Sequence, residues 1–433
     1  MQDLCVLYDT AVLGMAQIST HRTGTVRATE ELARALQKTP GCNLQLMASD
    51  FQGAAADYCH RWLPGVSFVQ PSWQTATSRG LYRTIYPVKF MHDDTRNQPA
   101  VRAARFAIKG ALAPFRPLLR RVPTRTLQRA DVYHAPSGVV PRQIQARDHQ
   151  ATGRKLPVFV TVHDLLPIKH PEYFSKKAAT AAEAWLARFS RERWYLCSSE
   201  NTRRDLLETG RCDPQRVFVT PLAANEEFYP RPEAGPAIRA KYGLGDAPYF
   251  LSVCTLEPRK NLDTVIRTFL KLVREENRQL PAGLKLVLVG TLGWMHEKIH
   301  AAYAGAGDAR ERIVFAGHVP EADLPALYSH ALAFVYLSFY EGFGLPVLEA
   351  MRCGAPVVAS NTSSLPEVVG TAGILQDPRD EDALAQNLQM ICNDPMLRAG
   401  LSQRAVEQAA TFSWDHCAKL TFAAYMSAVA GGR

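Results

Sequence analysis

Two carboxylates, Glu341 and Glu349, bracket the run E-G-F-G-L-P-V-L-E. The interior reads as a Gly-x-Gly turn opening a helix. Pro346 suits the first helical position, where a missing N–H costs nothing. Gly342 and Gly344 let the backbone approach a ligand closely. The amides at such a helix start are a ready anion site. An acid before the turn and another about one turn into the helix would then bracket the anion. This is a way to hold a sugar nucleotide, with phosphates on the amides and hydroxyls on the acids. The plainer reading is a helix N-terminus with a favourably placed acid.

Earlier in the chain, S-V-C-T-L-E-P-R-K-N-L-D places Arg259 and Lys260 between a strand end and a helix beginning near Asn261. A guanidinium and an ammonium there would meet the charge of a departing diphosphate, and stabilising charge where it develops is often the largest catalytic term. Two adjacent cations are otherwise a solvated pair. In V-F-V-T-V-H-D-L-L-P, His163 and Asp164 fall at the carboxyl end of an apolar run. His163 reads either as a group facing a sugar or as a satisfied buried histidine, and Asp164 can instead cap the following turn. In H-R-T-G-T-V-R-A-T-E (21–30), Gly24 opens the first long helix, Thr25 can cap it, and Arg22 or Arg27 can meet an anionic acceptor. No metal-ligating constellation is read: Asp93–Asp94 and Asp380/Asp382 lack a strand context.

The E341-G-F-G-L-P-V-L-E349 block with its A-M-R-C-G-A-P-V-V-A-S continuation resembles the E-x7-E element of retaining glycosyltransferases of family 4, which have the GT-B fold. The resemblance implies that Glu341 contacts donor-sugar hydroxyls and Glu349 the nucleotide ribose. P-R-K-N is similar to the family's basic pair, which implies Arg259 and Lys260 on the donor pyrophosphate, with the backbone at Phe343, Gly344 and Leu345 beside them. H-D-L-L-P resembles the H-D-x-x-P signature of bacterial members that transfer mannose and related deoxysugars. It implies His163 at the donor sugar, beside Glu341, Arg259 and Lys260 as catalytic candidates, and GDP-mannose as donor. F-A-G-H-V-P-E-A-D-L-P-A-L-Y resembles the stretch whose backbone holds the nucleobase, near Val319. C-S-S-E-N-T-R-R-D-L is similar to a run in which Ser199 serves at least as a helix cap. The family implies a glycine loop at Gly24, no cofactor beyond the sugar nucleotide, no metal, and a glycan or polyprenyl-linked glycan as acceptor in surface-polysaccharide assembly.

These groups need a scaffold. Short apolar runs alternate with helix-period segments. The expected strands are Leu4–Tyr8, Leu44–Ala48, Val132–His134, Val158–Val162, Trp194–Ser198 and Val217–Thr220, then Tyr249–Cys254, Leu284–Val289, Ile313–Ala316, Ala333–Leu337, Pro356–Ser360 and Gly373–Leu375. Helical patterns cover Thr25–Gln37, Leu262–Arg274 and Glu381–Ile391. Continuous Val/Ile/Leu strands separated by helices read as parallel sheets covered on both faces. The expected architecture is α/β: two doubly wound, Rossmann-like domains facing a cleft. Their expected limits are 1–225 and 226–414, with a linker at Asn225–Pro236. The family implies that 415–433 returns to the first domain.

Composition sets outer limits. At 433 residues, two or three domains are expected. No apolar run reaches the ~18 residues of a membrane span, and no basic leader precedes M-Q-D-L-C-V-L-Y. Nine cysteines without C-x-x-C fit free buried thiols in a reducing cytoplasm. Residues 79–129 hold twelve basic residues against Asp93 and Asp94, which accounts for the whole net charge of +9. Interleaved apolar residues make an anionic membrane surface one expected partner and a solvated helical face the other. Nucleic acid is not expected, because no base-stacking or groove-reading element accompanies the charge. A catalytically silent scaffold and a sugar-nucleotide epimerase are the alternatives to glycosyl transfer.

Overall fold

The computed structural model describes residues 3–19, 23–89, 122, 124–141, 144, 156–275 and 279–431. Two parallel sheets organise them. The first runs in the order β3-β2-β1-β4-β5-β6-β7, with β1 Leu4–Asp9, β2 Cys42–Met47, β3 Ser67–Phe68, β4 Val132–Ala135, β5 Val158–Val162, β6 Trp194–Cys197 and β7 Val217–Val219. The second runs β10-β9-β8-β11-β12-β13, with β8 Tyr249–Val253, β9 Lys285–Val289, β10 Ile313–Gly317, β11 Ala333–Tyr336, β12 Val357–Ser360 and β13 Ile374–Gln376. All twelve expected strands form, within two residues at each end. The two-residue edge strand β3 is the addition.

The strands read as apolar runs because helices cover both faces; every residue of β1, β4, β5, β11 and β12 is buried. In each sheet the strand order reverses beside the central strand, between β1 and β4 and between β8 and β11. Crevices beyond the carboxyl ends of the strands at such points receive ligands. Five helices frame the crevice or tie the lobes: α1 Gly24–Lys38, α2 Glu200–Glu208, α3 Leu262–Arg274, α4 Leu345–Arg352 and α5 Trp414–Ala430.

Helix α5 closes the chain on the first sheet. Its Cys417, Ala418, Ala424, Tyr425 and Ala428 share a core with Val6, Tyr8 and Phe159. The Tyr425 hydroxyl lies 2.7 Å from Nδ1 of buried His134, whose Nε2 is 2.7 Å from Thr161 Oγ1. Burial lowers the His134 pKa to about 3, so this tie is a neutral one. The stretch expected as a linker is not loose: Phe228 is fully buried in the second lobe, and Arg352 donates to the carbonyls of Phe228 and Ala224.

All nine cysteines are free thiols, seven of them buried. Among the described residues no helix is long and apolar enough to cross a membrane. Most of the basic segment at 79–129, together with His21, Arg22 and Asp93–Asp94, lies outside the described residues.

Candidate active site

The site begins with the turn before α4. Gly344 caps the helix with φ +106°, a conformation that favours glycine. Pro346 sits second in the helix rather than first. The first bonds back to the turn run from Val347 N and Leu348 N to the Gly344 carbonyl, so the Gly344 and Leu345 amides lie ahead of the helical ladder. Ser364 Oγ donates to the carbonyls of Glu341 and Phe343, each at 2.9 Å, and Ser363 Oγ accepts from Glu341 N. The turn is therefore held from behind, with Glu341 fixed at its entrance.

Arg259 and Lys260 come to the same place from the segment that follows β8, the neighbour of β11. They occupy a short 3-10 turn, Pro258–Lys260, and Asn261 at φ +55° swings the chain into α3. Arg259 Nη1 lies 2.8 Å from Glu341 Oε2, and Lys260 Nζ lies 2.6 Å from Glu341 Oε1. Lys260 also donates to the Tyr336 hydroxyl at 2.7 Å, and Arg259 Nε to Glu257 Oε1 at 3.0 Å. Burial alone would raise the pKa of Glu341, which is 8% exposed. Arg259 and then Lys260 overcome that and hold it at about 2. Burial likewise opposes the charge on Arg259, and Glu341 with Glu257 outweighs it. Sequence reasoning missed Glu257 and Tyr336. Glu257 stands two residues before Arg259 in L-E-P-R-K-N, and an acid so close to two buried cations was the available signal.

Glu349 is 2% exposed. Its Oε1 accepts from Arg27 Nη1 of the first lobe at 2.5 Å, and among the described residues its Oε2 receives only a long bond, 3.3 Å, from the Tyr328 hydroxyl. Arg27 Nη1 is also 3.5 Å from Glu321. Burial raises the Glu349 pKa, Arg27 opposes this, and Glu321 adds to it. Val319, Tyr328, Phe343 and Leu345 form one apolar cluster here, joined by Ala28 from the second turn of α1. Gly24 faces the same place: a Cβ there would stand 3.5 Å from Leu345 Cδ1. The helix is capped by Thr23, whose Oγ1 accepts from Val26 N. The expectation of a Thr25 cap is corrected: Thr25 lies inside the helix, and its carbonyl accepts from Thr29 Oγ1.

His163 follows β5 directly. Its Nε2 is 2.9 Å from the Pro136 carbonyl. A carbonyl only accepts, so Nε2 carries the proton and Nδ1 is the acceptor. Burial lowers its pKa, against the pull of that carbonyl. The imidazole is therefore neutral at pH 7. Asp164 caps the next turn through Leu166 N at 3.0 Å. Gly342 closes on this segment from the second lobe. A Cβ at Gly342 would fall 2.0 Å from the His163 carbonyl oxygen. Ser198 Oγ donates to that carbonyl at 2.8 Å. The Gly342 carbonyl in turn receives Ser198 Oγ, Ser199 Oγ and Thr202 Oγ1 at 2.9, 2.8 and 3.2 Å. Ser199 also caps α2 through Thr202 N.

Two more contacts tie the lobes. Tyr340 donates to Asp205 at 2.6 Å, and Glu367 accepts from Glu200 N and Asn201 N, each at 2.7 Å. The structure thus gathers Glu341, Arg259 and Lys260 in one cluster. It places Phe343–Leu345 beside them and brings His163 against Gly342. It groups Glu349, Val319 and Gly24 on the α1 side. Nothing in the local sequence marked Ser198, Thr202 or Glu367 as interlobe contacts.

Two facing parallel α/β lobes, with buried cations and a helix start in the crevice between them, have the architecture of the GT-B fold. Residues 236–408 match the family described as glycosyl transferases group 1, and residues 22–228 match glycosyltransferase family 4. The chain is 34% identical over 296 residues to O-antigen chain mannosyltransferase B of Escherichia coli, covering 68% of this chain and 74% of that protein. It is 31% identical over 263 residues to serotype-specific mannosyltransferase WbdA of Escherichia coli; this is 60% of this chain but 32% of that longer protein. The crystal structure of HepE from Anabaena in complex with UDP and glucose superimposes with a TM-score of 0.64 at 17% identity, over 98% of this chain and 99% of that one. The chain belongs to glycosyltransferase family 4, and it is an enzyme of glycosyl transfer.

Proposed function

We propose that the enzyme is a retaining mannosyltransferase that moves mannose from GDP-mannose to a glycan or polyprenyl-linked glycan in bacterial surface-polysaccharide assembly. The single observation that carries this is Glu341, held between Arg259 and Lys260 at the mouth of the turn that opens α4. The mannosyl specificity rests on the H-D-L-L-P segment at His163 and on the two mannosyltransferase relatives.

The cluster is neutral before any donor arrives, with Glu257 and Glu341 against Arg259 and Lys260. An entering diphosphate must take over contacts that Glu341 now makes, while the sugar's hydroxyls take the released carboxylate. Fixed cations and amide dipoles then meet the charge that develops on the leaving group. The acceptor oxygen bonds to C1 on the face from which the diphosphate departs. The C1–O bond to phosphate breaks with its electron pair going to the phosphate oxygen, which takes the acceptor's proton. Once the diphosphate has taken over those cations, the Glu341 carboxylate is engaged by the sugar's hydroxyls, which disfavours it as a nucleophile and favours this front-side route over a covalent intermediate. His163 offers Nδ1 to a sugar hydroxyl.

The test is release of nucleoside diphosphate from GDP-mannose, GDP-fucose, UDP-glucose and UDP-galactose by wild type and Glu341→Ala, with the product anomer read by NMR. GDP-mannose turnover and an α-mannoside are expected from wild type alone. A β-mannoside ends the retaining mechanism, and turnover of a different sugar ends the donor assignment.

A further inference from the structure

We propose that Arg27 is part of the donor site, a cation lent by the first lobe that completes the ribose-binding carboxylate Glu349 only when the lobes are together. This rests on the proposed function in that Glu349 is taken to face the ribose. Arg27 stands three residues into α1, beyond Gly24, and reaches across the crevice to Glu349 and Glu321. It is not a surface pair: the side chains are 16% and 3% exposed for Arg27 and Glu349.

Two features separate this contact from a simple tether. First, Glu349 uses only one oxygen on Arg27, and among the described residues Oε2 keeps just the 3.3 Å bond from Tyr328. A ribose hydroxyl can donate to Oε2 without displacing the guanidinium. Displacement would be costly, because neutral hydroxyls would then leave Glu349 buried beside Glu321 with no counter-charge. Second, Arg27 Nε is buried and unpartnered among the described residues. A buried N–H of this kind is unfavourable, and a ribose oxygen donating to Glu349 has lone pairs left to accept from it. The diol would then be read by an acid from one lobe and a cation from the other, so that donor binding and lobe approach reinforce each other.

Isothermal titration of GDP and of inorganic pyrophosphate against wild type, Arg27→Met and Arg27→Lys tests this. Pyrophosphate needs only Arg259, Lys260 and the helix start, so it reports on folding and on the rest of the cradle. We expect Arg27→Met to weaken GDP by about tenfold to a hundredfold, the range for a lost charge-assisted contact, with pyrophosphate within about twofold. Arg27→Lys keeps the charge without the second donor and should fall between.

The groups facing Glu349 are Arg27, Glu321 and Tyr328, with Cys353 at the end of its own helix. Without Arg27, burial and Glu321 raise the Glu349 pKa against the weaker pull of the Tyr328 hydrogen bond. The GDP-to-pyrophosphate affinity ratio of Arg27→Met should therefore drop further as pH falls below neutrality, while that of wild type drops less. Equal losses for GDP and pyrophosphate, no loss for GDP, or tighter GDP binding would each overturn the proposal. UDP or ADP binding in place of GDP would overturn the donor assignment, and the same ratio read with that nucleotide would then decide the role of Arg27. A wild type that binds no nucleoside diphosphate better than pyrophosphate would end both.

Discussion

Gly342 presses the second lobe against the first, and Gly342→Ala tests whether transfer requires that contact. The added Cβ would lie 2.0 Å from the His163 carbonyl oxygen, 2.8 Å from Asp164 Cβ and 2.9 Å from the His163 carbonyl carbon. Two of these neighbours are backbone atoms following a buried strand, so no side-chain rotation relieves the clash. Ordinary contact begins near 3.4 Å. The gap must open by about 1.4 Å, the scale at which packed atoms lose most of their mutual attraction. The hydroxyls of Ser198, Ser199 and Thr202 converge on the Gly342 carbonyl and would be stretched together. At about 0.5–1.5 kcal/mol each, with about 1–3 kcal/mol for overpacking, the closed arrangement is disfavoured by a few kcal/mol.

The strain lies between the lobes and not inside either sheet, so separation of the lobes relieves it. Melting should fall by only a few degrees, at about 2–4 °C per kcal/mol for a lobe of roughly 200 residues. Transfer should suffer far more. A displacement of about 1 Å costs on the order of a hundredfold in rate, and we expect kcat to drop by about that factor while pyrophosphate affinity changes little. The assay is steady-state product formation at saturating donor, with thermal unfolding and pyrophosphate titration in parallel. A Gly342→Ala enzyme with kcat within about threefold of wild type would refute the claim that transfer occurs with the lobes in contact here.

Glu341→Gln removes the shared counter-charge of Arg259 and Lys260; folding stability should fall by about 3–5 kcal/mol in urea, the usual cost of breaking a buried pair, with donor turnover lost. The Glu341 pKa is lowered in the folded state, from 4.5 to about 2. Its contribution to stability is thus complete above pH 4.5 and disappears as pH falls through about 2, so urea midpoints between pH 7 and 5 should not move on its account. Glu367→Ala deletes the acid that accepts from Glu200 N and Asn201 N at the start of α2; small-angle scattering should show a larger radius of gyration without ligand, and an unchanged radius would count against an interlobe latch. Wild type should sediment with vesicles containing anionic lipid at low salt and be released at high salt if 79–129 meets a membrane; no sedimentation at low salt refutes that contact.

How much of the fold and site was legible depended on how local each signal was. Val158–Val162 reads V-F-V-T-V because a central parallel strand is buried on both faces, and such runs declare themselves. Ser67–Phe68 is two residues long at a sheet edge and leaves no periodicity. In T-G-T, Thr23 and Thr25 are chemically equivalent caps. Which one serves depends on where the helix enters, and Gly24 meets Leu345 from the other lobe at that point. Arg259, Lys260, Glu341 and Glu349 were legible as types at set spacings, but not the hydrogen bonds that commit each carboxylate before a ligand arrives. Glu367 with Glu200, Gly342 with Ser198, and Arg27 with Glu349 join residues more than a hundred apart, where neither period nor composition carries information.

The two lobes differ in the kind of polarity they bring, and the difference follows the chemistry proposed for them. The second lobe carries opposed full charges in a buried, closely bonded set, which suits a group whose charge grows as it leaves. The first lobe brings a neutral imidazole and hydroxyls that hold backbone carbonyls. The hydroxyls hold the lobes together, and the imidazole can orient a neutral sugar hydroxyl without competing for the leaving group. Arg27 departs from that division. Its charge, however, is spent on Glu349 and Glu321, the two carboxylates it meets across the crevice. If the first lobe withdrew, Glu349 would lose the Arg27 counter-ion. The ribose site would then weaken when the lobes part, which ties product release to opening without a separate device.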